Sequence, residues 1–102
     1  MTRGQQGPPQ GTYSTFTNMI GEREMGVPAI PGVPIFQQSR SVFQVMVQCD
    51  PDSANPIRVG GPTGQWIALV AGAALTIPIN DVNNVYVHGD GGPATINWMA
   101  MV

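Results

Sequence analysis

The stretch VNNVYVHGDGGPATINW, residues 82–98, decides how the chain is read. It sets the only histidine, His88, two positions from Asp90 inside a glycine cluster, so it is either a reactive loop or the bend between two strands. Val85 and Val87 alternate with Tyr86 and His88, and Ile96, Trp98 and Ala100 repeat every second residue, the period of half-buried strands. Gly-Asp-Gly-Gly between them supplies the positive φ angles that a hairpin needs. A catalytic histidine requires a nucleophile or carboxylate held within hydrogen-bond reach and a pocket that excludes water. Asp90 at a hairpin tip is solvated, and Ser39, Ser41 and Ser53 lack the Gly-x-Ser-x-Gly elbow. The glycines lack the Lys-Ser/Thr ending and the following helix of a phosphate loop. The sequence therefore predicts a hairpin with His88 on an outer face or at a subunit contact, and no catalytic, cofactor-binding or metal-binding residue.

Upstream, the same alternation runs back to Ser39. Phe43, Val45, Val47 and Cys49 form one face against Gln44, Met46 and Gln48. DPDSANP breaks the ladder, Ile57–Val59 begins a second strand, and GGPTGQ turns the chain. Ile67 and Leu69 are expected to point inward, with Trp66 opposite. Leu75, Ile77 and Ile79 alternate with Thr76 and Pro78, and Pro78, having no N–H to give, marks an edge or a bulge. Six short strands in residues 39–102 predict an all-β domain, a small β-sandwich or jelly-roll-like barrel.

Residues 1–38 read as an extended Pro/Gly-rich arm. VPAIPGVP spaces Pro28, Pro31 and Pro34 by three, the repeat of a polyproline II helix, and GEREMG predicts one helical turn between Gly21 and Gly26. The apolar residues Tyr13, Phe16, Met19, Ile20, Val27, Ile30, Val33, Ile35 and Phe36 are too many for a solvated tail and too irregular for a helix face. With the three prolines they form the expected partner-binding set, packed on a neighbouring subunit.

Composition narrows the partners. Charged residues make up 10% of the 102-residue chain, with 4 Arg, 6 Asp or Glu and no Lys, against about a quarter in typical soluble domains. Such sparse charge predicts a surface covered by other chains. Arg3, Arg23, Arg40 and Arg58 are scattered, which argues against nucleic acid. Cys49 is alone, so no intrachain disulfide or Cys-based zinc site can form. Asp50, Asp52 and Asp81 lack the spacing of a calcium loop and are expected to shape turns. No apolar run approaches the ~20 residues of a membrane span, and no export signal is evident. Trp66 and Trp98 are expected in the core or at an interface; a sugar-binding platform is the rival reading. A 64-residue domain buries only ~60% of its unfolded surface, so oligomerisation is expected to complete it.

NPIRVGG (55–61), GQWIALVAGAALTIPIND (64–81) and VNNVYVHGDGG (82–92) together resemble the β domain of small structural proteins of tailed bacteriophages, among them capsid decoration (cement) proteins and head-fibre components. The resemblance covers residues 54–98 and rests on strand and turn motifs, not on a reactive site. It implies a virion part without catalytic activity, made in the host cytoplasm and bound to the capsid surface. The implied partners are the major capsid protein lattice and further copies in a homotrimer. A head-fibre or neck component is the alternative within the virion. A carbohydrate- or receptor-binding module using Trp66, Tyr86 and His88 is the alternative outside it, and a small hydrolase around His88 and Asp90 ranks last.

Overall fold

The computed structural model describes residues 19–102. Where Val, Ile and Cys alternate with polar residues, the chain is extended: β3 (Gln44–Cys49), β4 (Ile57–Gly61), β5 (Gly64–Leu69), β6 (Ala74–Pro78), β7 (Tyr86–Gly89) and β8 (Ala94–Met101). Two further strands precede them, β1 (Met19–Val27) and β2 (Val33–Pro34). A 3-10 turn at Val82–Asn84 leads into β7. Among the described residues the fold is all-β: two four-stranded antiparallel sheets in the orders β1-β8-β3-β6 and β2-β7-β4-β5.

The pairing has a simple logic. β1 pairs with β8, β2 with β7, β3 with β6 and β4 with β5. This is one long antiparallel ribbon, with its tip at Gly61–Gly64, rolled so that successive segments fall in different sheets. Every connection between described strands except β4–β5 therefore changes sheet. The Gly-Asp-Gly-Gly bend is one of these, so the hairpin expected there is a crossover. Gly91 does adopt the left-handed region, at φ 90.

One core cluster draws on both sheets: Val45, Val47, Cys49, Ile96, Trp98 and Ala100 from one, Ile57, Val59, Leu69 and Val87 from the other. The expected inward faces of β3, β4 and β8 are thus observed. Phe43 is exposed instead, and Ile67, opposite the buried Val59, faces the space between the sheets as expected but is 51% exposed at its open edge. Phe43 precedes β3, with its N–H donating to the Met101 carbonyl at 2.8 Å. In β5 the register passes from Val59↔Ile67 to Gly60↔Gln65, leaving Trp66 as the extra residue of a bulge.

The arm expected over residues 1–38 requires the largest correction. Residues 1–18 lie outside the description, but residues 19–38 fold back onto the domain. Met19–Val27 pairs along β8, and Val33–Pro34 along β7. Val27 and Ile35 are core residues, Ile20, Met25 and Phe36 pack against the core, and Phe36 sits 5.7 Å from Trp98, ring to ring. The predicted helical turn in GEREMG is instead a bulge, with the register shifting between Glu22 and Met25 and Glu24 at φ 55. This bulge moves the inward positions from even numbers (Ile20) to odd (Met25, Val27), which hides the strand from a period-two reading. The Ile30–Pro31 peptide is cis, and Val33–Pro34 is strand, not polyproline helix.

Candidate interaction surface

Hydrogen bonds internal to the fold occupy the histidine loop. His88 stands opposite Arg58 on β4, and its Nδ1 lies 2.8 Å from the Gly89 carbonyl oxygen, an acceptor, so Nδ1 carries the proton. Asp90 turns to Arg58, whose Nε donates at 3.2 Å. The Gly89 and Asp90 amides donate to the carbonyls of Pro28 and Pro56 at 2.7 and 2.8 Å. The Asn55 side-chain amide donates to Pro93 O at 2.8 Å. The described residues thus bring no nucleophile to His88, and none of their His, Cys, Asp and Glu side chains gather in threes to hold a metal ion.

The aspartates shape turns. Asp50 accepts from the Asp52 amide at 3.1 Å and from Asn97 Nδ2 at 3.0 Å. Asp81 caps the 3-10 turn and pins the approach to β3, accepting from the Ser39 hydroxyl, the Arg40 amide at 3.2 Å and the Asn83 amide at 2.9 Å. The Ser39 hydrogen bond, then that from Asn83, holds its carboxyl below the ordinary aspartate range.

The distinctive surface lies elsewhere. From Val59 to Asn80 the sequence has no ionisable side chain, and this run supplies both β5 and β6, an edge strand of each sheet. On it Trp66, Ile67 and Val70 are 71%, 51% and 66% exposed. Between the two edges opens an apolar cleft of ≈ 290 Å³, lined by Ile67, Leu75, Ile77, Ile79, Val59 and Val85. The charges bracketing the run are engaged within the domain, Arg58 by Asp90 and Asp81 by its three donors. Contiguous exposed apolar surface of this kind is uncommon on monomeric soluble domains.

The two tryptophans do not form one platform. Trp98 is core, 4% exposed, and its buried Nε1 has no hydrogen-bond partner among the described residues. Trp66 is on the surface, its ring laid against Gly64 where any side chain would collide. Of the expected partner-binding set, Tyr13 and Phe16 fall outside the described residues. Val27 and Ile35 are interior, which rules them out as contacts to a partner. Ile20 and Phe36 are packed inward, Val33 and Pro34 are half-buried in β2, and only Met19, Pro28, Ile30 and Pro31 are exposed. Sequence reasoning missed Ile67 and Val70 as surface residues. The uncharged run from 59 to 80 was the available signal. No protein-family model, curated protein or solved structure matches the chain.

Proposed function

We propose that the protein is a virion structural protein acting by binding alone, a capsid decoration protein that associates with itself as a homotrimer and with the major capsid protein lattice. In this reading the two sheets form a β-sandwich of jelly-roll type. The pairing of first strand with last, and so inward to the β4–β5 tip, supports it, as does the use of double-sheet jelly rolls in viral capsid and lectin domains. The resemblance of residues 54–98 to phage decoration and head-fibre proteins supports the virion setting. The observation that carries the proposal is the uncharged β5–β6 side, where Trp66, Ile67 and Val70 stand exposed beside an open apolar cleft. Joining neutral apolar edges removes apolar area from water without stranding a charge.

Contact with neighbours is assigned to this side, because residues 19–38 belong to the domain and are not free to staple capsomers. Many copies on a lattice make modest contacts effective together. Sedimentation of the purified chain is expected to give a trimer that co-sediments with shells of major capsid protein. Ile67→Lys is expected to cost on the order of 2 kcal/mol or more per contact, as for an interface hot spot, giving monomers that no longer bind shells. A wild-type monomer that ignores shells would overturn the reading. Glycan binding lost in Trp66→Ala would replace it with the carbohydrate-binding one.

A further inference from the structure

The β5–β6 side carries a projection and a recess side by side. Ile67, opposite Val59, stands at the mouth of the apolar cleft, whereas Trp66, the extra residue of the β5 bulge, lies against Gly64 outside it. The cleft exists because the two sheets end here without joining. Leu75 and Ile77, opposite Val47 and Val45, carry the inward row of the β1-β8-β3-β6 sheet out to its edge, and on the facing sheet Gly60 and Gly61 supply wall without side chain. Gly60 has to be glycine, since a Cβ there would meet the Gly64 carbonyl oxygen. No ionisable residue lines the ≈ 290 Å³, and Asn84 is the one lining residue with a polar side chain. An apolar cavity of about 150 Å³ already holds a benzene molecule, so the cleft has room for an indole.

We infer that the indole of Trp66 from a second copy fills this cleft, so that each subunit gives one indole and receives one. The inference rests on the self-association proposed above and names the contact that makes it. The occupant is a second copy because the uncharged run of residues 59–80 furnishes both the indole and every lining residue except Asn84 and Val85. Two such runs brought together set neutral surface on neutral surface, and no charge of either subunit is desolvated. In a lone subunit the 71% exposed Trp66 and the open cleft are two uncovered apolar surfaces; one exchange covers both. A tryptophan seated in a partner's desolvated pocket is the usual form of an interface hot spot. Indole and cleft are different surfaces, so the contact is heterologous, and such contacts close into cycles when the rotation allows. A three-fold cycle seats every indole and fills every cleft.

Trp98 is buried in the core, so a change of tryptophan emission on assembly reports on Trp66. The test follows the full-length chain by sedimentation and by tryptophan fluorescence over one concentration series. The emission is expected to move from that of a water-exposed indole towards that of a buried one in step with the gain in mass. Trp66→Ala, at an exposed site, is expected to keep the wild-type circular dichroism while its association weakens by about 30-fold or more. Ile79→Glu, which puts a charge in the cleft, is expected to weaken association as much and to hold Trp66 emission at the exposed position throughout. Wild-type assembly with unchanged emission would overturn this inference and leave self-association standing, as would Trp66→Ala assembling like the wild type. A wild type that stays monomeric with exposed emission would overturn both. Buried-type emission from the monomer would place Trp66 in its own cleft and overturn the exchange.

Discussion

The two edge strands Met19–Val27 and Gly64–Leu69 face the same problem and meet it differently. Each has a neighbour on only one side in its sheet among the described strands, and each carries a bulge. In β1 the bulge falls within Glu22, Arg23 and Glu24, and consecutive charges on an exposed edge discourage another strand from pairing. Asn97 secures it from the next strand, its Oδ1 accepting from the Glu24 amide at 2.8 Å and its Nδ2 donating to Gln48 Oε1 at 3.0 Å. In β5 the bulge falls on Trp66, and no charge lies on the strand. The backbone device is shared; the side chains decide whether an edge is closed or offered.

Four substitutions probe that contrast. Leu69 is buried and anchors β5 to the core, so Leu69→Ala is expected to lower the unfolding free energy by about 2–5 kcal/mol, measured by chemical denaturation. Met25→Ala, at a half-buried site on β1, should cost less, and equal losses would mean that the two edges are anchored alike. Within β1, Gly21→Ala forces a Cβ against the Trp98 carbonyl, whereas nothing lies within 4 Å of a Cβ added at Gly26. The first should cost about 1–3 kcal/mol through overpacking. The second should be neutral or stabilising by under about 1 kcal/mol. If the two glycines respond equally, β1 is not held against β8 as closely as described.

The smallest effect belongs to Asp81, which ends the uncharged run. Its carboxylate accepts every hydrogen bond that lowers its pKa, so its stabilisation is present above the unfolded-state value and is lost as pH falls through the lowered folded-state value. Asp81→Asn should therefore reduce the melting temperature at pH 7. The difference from wild type should shrink as pH drops below the ordinary aspartate value of ~3.9. A difference independent of pH would detach Asp81 from the ordering of Ser39 and Arg40.

Much of the domain was legible because period-two alternation reports directly which side chains are buried. Val45, Val47, Cys49, Ile57, Val59, Val87, Ile96 and Trp98 all lie inside, and Pro78 sits on an edge strand. The reading failed where a bulge broke the period. Arg23–Glu24 hid β1 inside an apparent arm. It failed again at Gly-Asp-Gly-Gly, since the same residues suit a hairpin and a passage between sheets. The uncharged side was present in composition, but only the edge positions of β5 and β6 made it a surface.

Local alternation and turn chemistry, read from the residues alone, determined that the chain is built of short strands around a Val/Ile core, and composition that residues 59–80 carry no charge. The tertiary structure decided which strand joins which sheet. β1 and β8 stand at opposite ends of the chain, and their pairing follows from closing the backbone hydrogen bonds of β8, a requirement that no short window of sequence contains.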